Sequence, residues 1–279
     1  RVEELAQDPT PVYGISTGFG ALARRHIPEE MRAQLQLSLV RSHAAGTGPE
    51  MEEEVIRALM LLRLSTLCTG RTGVRPVVVE TYAKALNAGI VPVVREYGSL
   101  GCSGDLAPLA HCALALLGEG EVRVNGELQD AGAALAAAGI EPLQLREKEG
   151  LALINGTDGM LGQLCLAITD LRAAAKTADI ATAMTMEGLL GTLVVFADDL
   201  QQLRPHPGQA DAAANILQVA EGSQILEAAL EEFKKNQVQD AYSVRCAPQV
   251  AGGFRDTLAH TTQVAERELA AAVDNPVVA

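Results

Sequence analysis

A serine set among glycines, in the run Gly98-Ser99-Leu100-Gly101-Cys102-Ser103-Gly104-Asp105, is the stretch of this 279-residue chain best suited to covalent chemistry. Glycine has no Cβ, so the amide nitrogen of Gly104 can be pressed onto the carbonyl carbon of Cys102 to close a five-membered ring. Loss of water from that ring and from the Ser103 side chain leaves a methylidene conjugated to a carbonyl, an electrophile that no ordinary side chain supplies. Taken alone, the run also reads as a plain serine-capped turn ahead of a helix, with Asp105 at the N-cap and Pro108 in the first turn. Other polar residues have equally ordinary readings one at a time. Tyr13 can anchor a loop, His43 can cap a helix C-terminus, Asn155 can satisfy the backbone of a helix break, and Gln239, Tyr242 and Arg245 can line a surface loop.

Four separated segments change the balance by occurring together. The turn, Tyr13-Gly14-Ile15-Ser16-Thr17-Gly18-Phe19-Gly20, Asn155-Gly156-Thr157 and Gln239-Asp240-Ala241-Tyr242-Ser243-Val244-Arg245-Cys246 make the chain resemble the aromatic amino acid ammonia-lyase family. The likeness is greatest to its histidine-specific actinobacterial branch. The resemblance implies a 4-methylideneimidazole-5-one made autocatalytically from Cys102, Ser103 and Gly104, with cysteine standing where the family usually has alanine. It further implies Tyr13 as the base that removes the β-proton and Tyr242 as a second catalytic phenol. His43 would face the substrate side chain, Asn155 would stabilise charge near the ring, and Gln239 and Arg245 would line the site. Arg245 is then the fork for the substrate carboxylate, a geometry lysine does not match. The implied reaction takes L-histidine to trans-urocanate and ammonia without a metal. Phenylalanine or tyrosine ammonia-lyases and aminomutases are the rival within the class, and a non-catalytic helical scaffold is the rival outside it.

Composition is compatible with a small amino acid as partner. The formal net charge of −13 sets the chain against nucleic acid and anionic membrane surfaces, which would repel it. Five cysteines (Cys68, Cys102, Cys112, Cys165 and Cys246) are scattered with no C-x-x-C pair, as expected of a reducing, cytoplasmic compartment rather than a disulfide framework or zinc site. His111, His206 and His260 have no metal-site spacing and are expected to be structural. Neither end has the look of a natural terminus, since the first residue is Arg1 and the chain stops after Asp274-Asn275-Pro276-Val277-Val278-Ala279.

These residues must be positioned mainly by helices. Hydrophobic residues make up 48% of the chain but aromatics only 3%, so the core has to be leucine, alanine, valine and isoleucine, and leucine and alanine favour helix. The expected fold is mainly α: a single domain over residues 1–279, a long-helix bundle of the ammonia-lyase type with a small β-ribbon. Family likeness adds a homotetramer whose sites draw on more than one chain. Along the sequence, the pattern predicts an extended stretch and glycine loop over 13–20. Helices follow after Pro28 with Met31, Leu35 and Leu39 on one face, over 49–70, over 76–89 and over 105–117. Asn125-Gly126 marks a hairpin within 121–128. Residues 149–200 read as long helix broken at Asn155-Gly156-Thr157, 204–208 as a proline loop, 210–235 as one helix, 239–248 as a loop and 254–273 as a last helix.

Overall fold

The computed structural model describes residues 1–100, 104–236 and 238–278, and the backbone alone over 232–236. Two compact units divide the chain: residues 1–164 with 268–279, and residues 165–267. Both divisions fall inside helices, which is why no Gly/Pro-rich linker marks them.

The first unit holds α1 (Val2–Gln7), α2 (Glu29–His43), β1 (Thr47–Glu50), α3 (Glu53–Cys68), α4 (Pro76–Asn87), β2 (Ile90–Pro92), β3 (Arg95–Tyr97), α5 (Leu106–Leu116), β4 (Glu121–Val124), β5 (Glu127–Asp130), α6 (Ala131–Ala137), α7 (Glu149–Ile154) and the start of α8 (Asp158–Gly188). Helix α5 is apolar all round and buries Leu109, Ala110, Cys112, Ala113 and Leu116, as a helix must when others cover every face. It packs against α2, α7, α4 and α6. Around it lies a core that includes Val40, Ile56, Leu59, Met60, Tyr82, Leu153 and Ile154, each large aliphatic residue contributing roughly 1.5–3 kcal/mol by burial. The Cys112 thiol lies within this core, and burial pushes it up to about 12. Because only the thiolate reacts, iodoacetamide at about pH 8 is expected to label exposed Cys68 and spare Cys112 until urea unfolds the chain, as peptide mass mapping will read.

Several sequence expectations are corrected here. The inward face of α2 is Arg32, Gln36, Leu39 and Val40 rather than one led by Met31, which is exposed. Arg32 can be buried because it donates to the carbonyls of Ala6 and Ile27. The helix expected from Pro49 starts at Glu53, because Thr47–Glu50 pairs antiparallel with β3 and Gly48 lies at φ +90 against the Tyr97 ring. Asn125 and Gly126 both take positive φ, as a two-residue hairpin requires. The ribbon is larger than expected, since buried β2 pairs with β4 to make the sheet order β2-β4-β5. Residues 13–16 form turns instead of an extended run, with the Val12 carbonyl accepting from the amides of Ile15 and Ser16.

The second unit contains the rest of α8, then α9 (Asp198–Gln201), α10 (Pro207–Val219), α11 (Gln224–Asn236), the single turn α12 (Tyr242–Arg245) and most of α13 (Ala247–Leu269). Its core gathers Ala183, Met186, Phe196, Ala213, Ile216, Ala220, Leu226 and Val244. Helix α8 stops at Gly188 rather than reaching residue 200: Leu190 sits at φ +55, and the β-branched run after Gly191 forms a 3-10 turn. The single helix expected over 210–235 is two, parted at Gly222 with φ +74. Pro207 opens α10 instead of lying in a loop, since a proline at the first helical position loses no helical hydrogen bond. Likewise α13 begins at Ala247, with Pro248 in its first turn, seven residues ahead of expectation.

Candidate functional site

The junction at Gly104 is built from two helix N-termini. Gly104, just before α5, forms a parallel bridge with Gly156, just before α8. The Asp105 amide donates to the Gly156 carbonyl at 2.9 Å, and the Leu100 amide donates to the Gly104 carbonyl at 3.1 Å, tying together the two ends of the turn. Asp105 does precede α5, but its side chain does not cap that helix. Its Oδ2 accepts instead from the Met160 amide, 2.8 Å away in the first turn of α8. The positive ends of α5 and α8 therefore both lie beside Gly104, a setting that favours negative charge developing there. Cys102 and Ser103 themselves lie outside the described residues.

Gly104 is tested sharply by its surroundings. It has φ +68, and a Cβ there would stand 2.9 Å from Thr157 Cγ2 and 3.0 Å from the Gly156 carbonyl oxygen. Only glycine fits. The position thus has the lack of side chain that ring closure through its nitrogen needs, so Gly104 fits its place in the internal prosthetic group that the turn implies.

Asn155 ends α7, and its side chain does not turn back onto the local backbone. Its Nδ2 donates to the Asn275 carbonyl at 2.6 Å, and because a carbonyl only accepts, the orientation of the carboxamide is fixed. The Tyr13 loop is pinned beside α7. Gln36 Nε2 donates to the Gly14 carbonyl while Gln36 Oε1 accepts from the Leu151 amide, and a Cβ on Gly14 would meet Leu151 at 2.7 Å. The Tyr13 ring meets Phe19 edge-on, with centroids 6.2 Å apart. His43, the last residue of α2, holds its Nδ1 2.9 Å from the Leu39 carbonyl. A carbonyl only accepts, so in the neutral imidazole tautomer that fits this contact Nδ1 donates and Nε2 holds the lone pair. His111 takes a structural part, its Nε2 accepting from the Gly46 amide.

In the second unit, Gln239, Tyr242 and Arg245 form a group of their own. The Arg245 guanidinium donates to Gln239 Oε1 and stacks over the Tyr242 ring at 4.4 Å, a cation–π contact. Beneath them Asp240 accepts from the Thr192 amide and Val244 enters the core, so the backbone is anchored while Tyr242 stays 68% exposed.

Sequence reasoning missed the buried charges beneath Asn155-Gly156-Thr157. Arg63, wholly buried, donates to the Asn155 carbonyl at 2.8 Å and to the Val273 carbonyl at 3.3 Å, and lies 3.3 Å from Asp158 Oδ2. Thr66 donates to the other Asp158 oxygen. Burial pushes the Asp158 carboxyl above its usual range, against the pull of Arg63. Lys148 and Asp274 form a second pair, 2.7 Å apart and closed to solvent. One signal was available: Arg63 continues the helical spacing of Ile56, Leu59 and Met60, which marks it as inward-facing.

Comparison with known proteins agrees with this architecture. The family model described as aromatic amino acid lyase matches residues 1–279. A histidine ammonia-lyase of Streptomyces avermitilis is 63% identical over 278 residues, covering 99% of this chain and 54% of that protein. The chain thus spans about half the length of the curated relatives it matches. Among solved structures, a tyrosine aminomutase from Streptomyces globisporus aligns with TM-score 0.89 at 41% identity, covering 99% of this chain and 55% of that one. A histidine ammonia-lyase from Trypanosoma cruzi aligns at 0.86 and 38%, covering 100% and 50%. With a mainly helical fold shared with these structures and a family match running from its first residue to its last, the chain belongs to the aromatic amino acid lyases.

Proposed function

We propose that this protein is a carbon–nitrogen lyase that releases ammonia from L-histidine to give trans-urocanate, through a 4-methylideneimidazole-5-one formed from Cys102, Ser103 and Gly104. The observation that carries the reading is the glycine-only junction at Gly104, held on Gly156 between two helix N-termini. Once formed, the group supplies an electrophilic carbon that makes the substrate amine a better leaving group. The chain's own residues do the rest. Tyr13, on its pinned loop, takes the β-proton as the general base. His43 offers the Nε2 lone pair to an N–H of the substrate imidazole. Asn155 carries polar hydrogen-bonding capacity at the end of α7. Arg245 pairs with the substrate carboxylate by guanidinium N–H groups not given to Gln239, and Tyr242 and Gln239 complete the polar lining. In the cytoplasmic homotetramer that belongs to this reading, the Tyr13 group and the Arg245 group need not come from one chain.

Tyrosine chemistry is the second reading, because the aminomutase likeness is close and an acceptor at His43 Nε2 also suits a phenol. Intact-mass spectrometry on the complete protein and on Ser103→Ala tests the first step. The expected result is a deficit of two waters, about 36 Da, that vanishes with activity in the variant. Urocanate absorbance with L-histidine, measured beside turnover of L-tyrosine, then decides the substrate. A full mass without deficit overturns the reading, and a deficit with turnover of tyrosine alone moves it to the second.

A further inference from the structure

A fully buried arginine demands a reason, since removing its charge from water costs several kcal/mol unless partners compensate. Arg63 gives its hydrogen bonds to two backbone carbonyls, that of Val273 and that of Asn155, the residue next to Gly156. Its Nη1 donates to Asn155, and its Nε has no partner. Gly156 is pressed directly against it: a Cβ on Gly156 would stand 2.5 Å from Arg63 Nη1 and closer still to Asp158 Oδ2. On its other side Gly156 bridges Gly104 and takes the Asp105 amide. The order in space is therefore ion pair, Gly156, Gly104, with no side chain between them to yield. Asp158 is fixed in turn by its place in the first turn of α8 and by Thr66.

We propose that Arg63 and Asp158 are positioning residues for ring closure, the rigid backing that fixes the backbone of Gly104 in place through Gly156. The proposal rests on the ring-closure reading above. Neither residue needs to touch substrate. Arg63 acts through its planar fork, whose Nη1 reaches the Asn155 carbonyl beside Asp158 while Nη2 reaches the Val273 carbonyl, and a lysine at this place offers charge without the fork.

The test is intact mass on the complete protein, read as the fraction of chains lacking two waters, together with far-UV circular dichroism to establish that each variant is folded. In Arg63→Lys, ring closure is expected to slow about a hundredfold, the loss typical of a misplacement near 1 Å, so that most chains keep the full mass. Arg63→Met with Asp158→Asn removes both charges at once, so no lone buried charge is left to unfold the chain, and the same loss is expected. Arg32→Met is the control. Arg32 is likewise buried and likewise donates to backbone carbonyls, but those of Ala6 and Ile27, so its variant is expected to keep the deficit. Folded Arg63 variants with the complete deficit overturn the proposal, as does an equal loss in Arg32→Met. A wild-type chain without the deficit instead overturns the ring-closure reading itself, and this proposal with it.

Discussion

Tyr13→Phe is expected to lower kcat by about 10²–10⁴-fold, the range supplied by a positioned general base, while leaving the two-water mass deficit in place. The substitution removes only a hydroxyl. The edge-on contact with Phe19 is made by the ring, and the loop is tied by groups that do not include the phenol oxygen: the Val12 carbonyl, Ser16 Oγ accepting from the Val12 amide, and Gln36 on the Gly14 carbonyl. KM for L-histidine should therefore change little, since a proton is taken only in the reaction and not in binding. Steady-state kinetics on the complete protein checks this. Activity within a few-fold of wild type removes Tyr13 from the role and passes it to Tyr242, the other phenol of the candidate set.

What was legible in the sequence is what depends on local chemistry. The hairpin at Asn125-Gly126 was readable because two adjacent positive-φ positions admit few residue types. The break at Asn155-Gly156-Thr157 was readable because it interrupts the apolar rhythm, and α7 and α8 do flank it. Short pairings were not readable: β1 with β3 and β2 with β4 join segments dozens of residues apart, and their few residues carry no period of their own. Prolines misled in one direction. Pro207 reads as a helix breaker in sequence, but at the start of a helix, where Pro248 also stands, the missing N–H has no intrahelical partner to lose. At the candidate site, the residue types of Tyr13, His43, Asn155 and Arg245 were visible, whereas the groups that hold them were not. Arg63, Lys148 and Asp274 work through partners up to 210 residues away in sequence, as in the bond from Arg63 to Val273, and no pattern in one chain announces such a pairing.

Those hidden groups bear the largest stability effect. Lys148→Met is expected to destabilise the chain by about 3–5 kcal/mol at neutral pH, because it strands Asp274 as an unpaired carboxylate in a place closed to water. The loss should extend to the site, for Asp274 Oδ1 holds the Asn275 amide and the Asn275 carbonyl holds the Asn155 side chain. In the wild-type protein, burial pushes the Asp274 carboxyl above its ordinary value of 3.8 and pushes Lys148 down, each opposed by the attraction of the other. Without Lys148 that opposing pull is gone and the Asp274 carboxyl rises further. A raised folded-state value means that the folded chain holds the proton more tightly than the unfolded one, so stability is kept below 3.8 and lost as the pH climbs through the raised value. The deficit of Lys148→Met against wild type should accordingly be small in acid and reach its full size near neutrality. Urea unfolding of both proteins across that range reads it directly. Adding Asp274→Leu to Lys148→Met removes the stranded charge and should recover most of the loss, which would show that the penalty lies in the unpaired carboxylate and not in the missing lysine stem.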